Sequence, residues 1–268
     1  MKVAALQMVS GTQLQANLEL ARSLLQQAAE QGAELAVLPE YFSLLGHTDQ
    51  DKLGAQEQPG HGPVQDFLAA AARACKLWLV GGTVPLSTGD PLRVRNTSLV
   101  YAPSGLCVAR YDKIHLFQFA NGNESYDESR TLERGTAPAS FDLPSADGAT
   151  YRVGLSVCYD LRFPELYRKL KADLLLVPSA FTFTTGQAHW ELLLRARAVE
   201  NLAYVLAAAQ GGRHENGRRT WGQSMLVDPW GKILGQHAEG PAVVLGEVLQ
   251  ARLHAVRAQL PALDHGVL

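Results

Sequence analysis

Three residues in this chain combine a reactive side chain with a position at the end of an apolar run. Cys158 follows residues 151–157, YRVGLSV, in which Val153, Leu155 and Val157 alternate with smaller or polar residues, as in a strand packed on one face. After it, Tyr159-Asp160-Leu161-Arg162 offers a capping aspartate. Pro164 then stands where a helix carrying Leu166, Tyr167 and Leu170 can begin. A thiol between a strand end and a helix N-terminus has partly positive surroundings, which favour the thiolate and hence a nucleophile. Free cysteine is also among the most buried residue types and commonly acts as a small hydrophobe, so this segment by itself leaves both readings open. Glu40 directly follows the apolar run Leu35-Ala36-Val37-Leu38. Burying a carboxylate unpaired is costly, so Glu40 is either a loop residue in water or a member of a polar site. Lys113 is a cation among apolar neighbours in Asp112-Lys113-Ile114-His115-Leu116, and a lysine after a strand is commonly solvated rather than catalytic.

The elements that must position these residues alternate between strand and helix. MKVAALQM reads as a short strand, and residues 17–31 carry Leu18, Ala21, Leu24, Leu25 and Ala28 at helical spacing until Gly32. Residues 33–38 read as a strand buried on both faces. Residues 63–76 repeat the helix and residues 77–84 the strand, and βαβ logic makes these strands parallel. Residues 95–101 and 106–111 form a hairpin across Ala102-Pro103-Ser104-Gly105. Residues 118–134 are polar and irregular, a long excursion of the kind that is functional or disordered. Strands follow at 172–178, 203–209, 221–227 and 243–248, with a helix at 186–201 whose apolar face carries Trp190, Leu193, Leu194, Ala198 and Val199. Two sheets, each from half the chain and each covered by helices on one side, satisfy this pattern. The fold class expected is α/β, a four-layer α-β-β-α sandwich; a doubly wound single sheet is the alternative.

With 268 residues, 47% hydrophobic and 19% charged, the chain has ample material for a large core. No linker-like stretch divides it, so one domain over residues 1–268 is expected. A formal net charge of -2 argues against nucleic-acid or anionic-membrane partners, which call for a basic face. Cys75, Cys107 and Cys158 lie far apart without a signal peptide, which suits a reducing cytoplasm and neither a disulfide framework nor a zinc site. No apolar run is long enough to span a bilayer.

Three motifs in order, LAVLPE ending at Glu40, YDKIHL containing Lys113 and GLSVCYDLRFPE containing Cys158, resemble the nitrilase-like carbon–nitrogen hydrolases. The resemblance extends through residues 178–182, PSAFT, residues 185–191, TGQAHWE, and residues 195–198, RARA. These look most like the Nit-type branch of amidases acting on deaminated glutathione; related omega-amidases tend to carry a glycine and an asparagine where Ser179 and Thr182 stand. The resemblance implies the α-β-β-α sandwich, with Glu40 as general base, Lys113 as oxyanion stabiliser and Cys158 as nucleophile. It also implies Glu128, in YDES, as a supporting carboxylate. Glu124 competes for that role, in a loop that has Gln118 where an aspartate often follows HLF and an unusual NGNES run. His115 and His189 are read as structural, and Cys75 and Cys107 as inert.

The implied reaction is hydrolysis of a small linear amide to a carboxylate and ammonia through a thioester. Lys113 and the backbone N–H of Tyr159 would form the oxyanion hole, and Glu40 would act alternately as base and acid. No metal and no cofactor are required. The substrate class is deaminated glutathione, a 2-oxoglutaramate-type amide. The alternatives are omega-amidase action on 2-oxoglutaramate or 2-oxosuccinamate and, from another class, a catalytically silent binding protein on the same fold. Nitrile or carbamoyl hydrolysis ranks lower. The resemblance further implies a homodimer or a higher homo-oligomer, paired through the two helices beginning near Phe163 and Gly186. Leu166, Tyr167, Leu170, Trp190, Leu194 and Arg197 are the contact residues expected.

Overall fold

The computed structural model describes residues 1–122 and 124–267; Asn123 of the NGNES run lies outside the described residues. Two sheets carry the chain. The first is ordered Ala242–Glu247, Lys2–Gln7, Leu35–Val37, Trp78–Val80, Val94–Tyr101 and Val84–Ser87, with Cys107–Asp112 paired to Val94–Tyr101. The second is ordered Ile233–His237, Ser224–Val227, Tyr204–Ala207, Leu174–Leu176, Thr150–Leu155 and Ala139–Pro144. The strands at Lys2, Leu35 and Trp78 are parallel, as βαβ logic requires.

Side-chain alternation builds the layers. On Lys2–Gln7, Val3 and Ala5 join the core that contains the second sheet, whereas Ala4 and Leu6 join Leu18, Leu25, Phe67 and Leu68 from the helices Leu14–Glu30 and Pro63–Cys75. On Thr150–Leu155, Gly154 faces the helix Pro164–Leu170: a Cβ there would come 3.0 Å from Leu170 and 3.1 Å from Ala172. The flanking Val153 and Leu155, in register with Leu174 and Leu176, point the other way. Where the sheets meet, a Cβ on Gly246 would lie 2.3 Å from Leu226. With the helix Phe183–Asn201 beside Pro164–Leu170 on the second sheet, this is the four-layer α-β-β-α sandwich.

Several expectations change. The two halves do not each make one sheet, because Ala242–Glu247 crosses back to pair antiparallel with Lys2–Gln7. Alternation along a strand says which face is buried but not which sheet receives it. The strand expected at residues 77–84 is two strands, broken where Gly82 takes φ +50 and passes so close to Pro39 that a Cβ would meet its carbonyl oxygen at 2.0 Å. The excursion at 118–134 contains a small hairpin, Gln118–Ala120 with Ser125–Asp127, and a 3-10 turn at Glu128–Arg130. The helix expected from Gly186 starts at Phe183 because the Thr182 hydroxyl caps it by accepting from the Thr185 N–H. A C-terminal helix, Gln250–Gln259, had no strong apolar face to announce it; only Leu253 and Val256 are buried.

The contact residues expected on the outer helices are spent within the subunit. Leu166, Tyr167, Leu170, Trp190, Leu194 and Arg197 are all buried against their own sheet and neighbouring helix. The Trp190 indole N–H donates to the Gln223 carbonyl and Arg197 to that of Leu161. Among the described residues, no helix is long and apolar enough to cross a membrane.

Candidate active site

Three strand ends converge at one point between the sheets. Glu40 follows Leu35–Val37, Lys113 follows Cys107–Asp112, and Cys158 follows Thr150–Leu155. Lys113 and Glu40 are both 1% exposed, with the Lys113 Nζ donating to Glu40 Oε1 at 2.9 Å. The same ammonium donates to Glu128 at 2.8 Å and 3.0 Å. Glu124 is elsewhere, accepting at 3.4 Å from the Thr184 hydroxyl. Glu40 is held by two further donors, Asn96 Nδ2 at 2.8 Å on Oε1 and the Ala180 N–H at 3.0 Å on Oε2. Glu128 likewise accepts from the Tyr41 hydroxyl at 3.0 Å and the Phe117 N–H at 2.7 Å. Every carboxylate oxygen in this cluster therefore has a partner, which a buried charge requires.

Cys158 opens a 3-10 turn, Cys158–Arg162, with φ +50. A non-glycine residue in the left-handed region costs about 1–2 kcal/mol and persists only where its surroundings hold it. Here the Cys158 N–H donates to the Pro178 carbonyl at 3.0 Å, and Asp160 clamps the turn. Asp160 is fully buried and accepts from the Val157 N–H at 2.8 Å and the Tyr111 hydroxyl at 2.7 Å. It also accepts from the His115 N–H at 3.0 Å, and His115 Nδ1 lies 2.7 Å away. Tyr111 and His115 flank Lys113, so one carboxylate ties the lysine segment to the cysteine turn. His115 also stacks on Phe163 at 3.7 Å, a structural placement. His189 lies on the outer helix near Arg162, with Nδ1 3.3 Å from its Nη2. Cys107 is exposed, and Cys75 is half-buried at the end of its helix.

The cluster opens on two cavities that share Phe117 as a wall. The smaller is lined by Cys158, Tyr159, Arg162, Thr182 and Thr185. The larger is lined by Tyr41, Lys52, Tyr126, Glu128 and Arg218. A family model described as carbon-nitrogen hydrolase matches residues 2–258. The chain belongs to the carbon–nitrogen hydrolase family. It is 42% identical over 271 residues to the deaminated glutathione amidase of Synechocystis sp., covering 98% of this chain and 97% of that protein. Human omega-amidase NIT2 is 37% identical over 249 residues, covering 91% of this chain and 87% of that protein. A solved variant of the amidase from Nesterenkonia sp. AN1, in which acrylamide has undergone Michael addition at the active-site cysteine, superposes with a TM-score of 0.77. The match is 27% identical and covers 97% of this chain and 98% of that one. This carbon–nitrogen hydrolase is accordingly a cysteine amidase acting on bonds other than peptide bonds.

The hydrolase holds its thiol where burial and a neighbouring carboxylate favour the protonated form. Burial and the Glu40 charge push the Cys158 thiol well above its ordinary pKa, outweighing the pull of Lys113. The expectation that the turn's polarity favours the thiolate is thus corrected: desolvation and a neighbouring anion outweigh a short turn's dipole. Burial alone would lower the pKa of Lys113, but Glu128 and Glu40 raise it well above the ordinary lysine value. Burial opposes ionisation of Glu128, and Lys113 overcomes it, holding that carboxyl below the usual range. Asn96, Tyr41 and the Ala180 N–H had no role in the expected site, and Asp160, expected only as a cap, also ties the cysteine turn to Tyr111 and His115. Asn96 left a faint signal as a polar residue inside a strand; a backbone N–H leaves none.

Linkage gives these shifts a direction. The depressed carboxyl of Glu128 contributes stability that is present above the ordinary carboxylate pKa, about 4.3, and lost as pH falls through its folded value. The raised Lys113 contributes stability that is present below about pH 10.4 and lost as pH rises through its own folded value. Glu128→Gln should cost about 3 kcal/mol at pH 7, because it strips a buried ammonium of one partner. That cost should shrink as the wild type is acidified below pH 4. Urea unfolding of both proteins at pH 7 and pH 3 checks it, and a deficit independent of pH would contradict the assignment.

Proposed function

We propose that Cys158 is the nucleophile, Glu40 the general base and acid, Lys113 with the Tyr159 N–H the oxyanion hole, and Glu128 the carboxylate that holds Lys113. The observation that carries this reading is the buried Glu40–Lys113–Glu128 cluster beside a buried thiol that feels the Glu40 charge. A binding scaffold has no physical need for such an arrangement. The Cys158 proton moves to Glu40 as Sγ bonds to the amide carbon, and negative charge develops on the carbonyl oxygen. The Lys113 ammonium has three N–H groups, one donating to Glu40 and two to the oxygens of Glu128; releasing one Glu128 oxygen turns an N–H to the carbonyl oxygen. Collapse breaks the C–N bond, and Glu40 returns the proton to the departing nitrogen. Water then gives a proton to Glu40 and attacks the thioester, the C–S bond breaks, and the thiol recovers its proton.

The relatives bring the substrate: deaminated glutathione first, 2-oxoglutaramate as the rival. The leaving group differs between them. A simple amide releases ammonia, whereas the γ-amide nitrogen of deaminated glutathione belongs to cysteinylglycine, which leaves as an amine. Arg162, beside Cys158 in the smaller cavity, supplies a guanidinium for the 2-oxo-acid carboxylate of the acyl part. Both substrates yield 2-oxoglutarate, so its formation is the common measure. We expect the higher kcat/KM with deaminated glutathione, and a clear preference for 2-oxoglutaramate would transfer the chain to the omega-amidase class. With either amide, Cys158→Ala or Glu40→Gln should form no thioester detectable by mass spectrometry; an acyl adduct accumulating at the normal rate would refute the roles.

One catalytic domain spanning the chain belongs to the same reading, since both sheets contribute site residues. A cytoplasmic setting suits three free thiols. A homodimer also fits, through other residues than those first expected. Leu192 and Val199, seven apart on Phe183–Asn201, are 68% and 46% exposed, and Trp230, 54% exposed, adjoins Gly231, which abuts Val199. Light scattering of the active enzyme should give twice 29.0 kDa or a larger multiple; a fully active monomer would exclude the assembly.

A further inference from the structure

The larger cavity holds a cation that the reaction scheme above does not use. Arg218 lines it, stacked over the Tyr126 ring at 5.1 Å, and no carboxylate pairs with it among the described residues. The other charges around the cavity are already matched. Lys52 lies 3.6 Å from Asp49, Glu128 binds Lys113, and Asp127 accepts from Ser129 and faces Arg130 at 3.5 Å. Arg218 is not a loose surface arginine. Its loop joins the strands Gly211–Arg213 and Arg219–Trp221 and is closed by the His214 N–H donating to the Arg218 carbonyl at 2.8 Å. Buried His214 pins that loop to Ser10 at 2.8 Å and Thr220 at 2.7 Å, and Asn216 donates to the Gly46 carbonyl. The guanidinium is therefore held at the cavity with one face on an aromatic ring and its N–H edge uncommitted to any anion.

The direction of the reaction says what belongs there. With the acyl end of the amide taken by Arg162 beside Cys158 in the smaller cavity, the amine end is left the cavity across Phe117, which the Glu40–Lys113–Glu128 cluster reaches through Glu128 and Tyr41 rather than through Glu40 itself. The nucleophile opens on the smaller one, across Phe117. The acyl part and the amine part of an amide thus fall on opposite sides of Phe117. We propose that Arg218 is a specificity-determining residue that binds the terminal carboxylate of a peptide-like leaving amine, with Tyr126 supporting its guanidinium. This rests on the reading that the substrate is deaminated glutathione, whose cysteinylglycine half ends in a carboxylate. A substrate that releases ammonia puts nothing in this cavity.

The test compares deaminated glutathione with its C-terminal carboxamide, following 2-oxoglutarate formation by wild type, Arg218→Met and Arg218→Lys. In the wild type, amidation of the terminal carboxylate should lower kcat/KM about ten-fold or more, the scale of one charge-assisted hydrogen bond, mainly through KM. Arg218→Met should turn over the two forms with nearly equal kcat/KM, and Arg218→Lys should keep part of the discrimination. An undiminished preference for the carboxylate in Arg218→Met would overturn the subsite while leaving the substrate reading intact, as would no preference in the wild type. A wild-type enzyme active on 2-oxoglutaramate but inert toward deaminated glutathione would overturn the substrate reading, and the subsite with it.

Discussion

The structure depends on keeping one ammonium, Lys113, charged where almost no water reaches it. An isolated lysine at 1% exposure would shed its proton, since moving a charge out of water costs several kcal/mol even after the protein relaxes. Two carboxylates prevent that. They in turn could not be buried without Lys113, Asn96, Tyr41 and the N–H groups of Ala180 and Phe117. These donors come from both sheets and from the segments between them. Once the cluster is required, the sandwich must bring the C-terminal ends of Leu35–Val37, Cys107–Asp112 and Thr150–Leu155 to one place.

Asp160 solves the related problem of register. Lys113 and Cys158 belong to different sheets, and small sliding of one sheet on the other would spoil the proposed oxyanion site, which is built from both. A carboxylate with partners at Tyr111 and His115 on one side and Val157 on the other makes such sliding expensive, because any shift strands a fully buried charge. The φ of +50 at Cys158 fits the same logic: the turn is held from several directions, so it can store strain that a free loop would relax.

Much of this was legible in the chain itself, and what was not has a physical reason. Pro164 at a helix start, Gly105 in a hairpin turn and the apolar runs before Glu40 and after Ala172 are local signals, and each local element formed near its expected place. The resemblance of three motifs supplied roles that spacing alone left open. What failed was long-range or geometric. The return of Ala242–Glu247 to the first sheet is a pairing over more than two hundred residues, invisible to periodicity. Leu166, Tyr167 and Trp190 were apolar enough to suggest an interface, yet a helix on a sheet needs just such residues for its own packing. Glu128 and Glu124, four apart, could be told apart only by which one reaches Lys113.

The same charge cluster explains why the thiol's high resting pKa suits catalysis. One ammonium and two carboxylates already carry a net charge of -1, and a thiolate formed by loss of a proton to solvent would raise it to -2 in a poorly hydrated pocket. Transfer of the proton from Cys158 to Glu40 leaves the total unchanged, because the thiolate appears as a carboxylate disappears. Under the proposed roles, deprotonation by Glu40 is therefore far less costly than ionisation into water, and it is coupled to attack, since the charge then moves onto the substrate oxygen facing Lys113. A cysteine of low pKa would be exposed as thiolate at all times to oxidants and stray electrophiles. In the proposed mechanism the nucleophile is strong only while an amide carbonyl is present to receive its charge, and burial beside Glu40 is what makes it so.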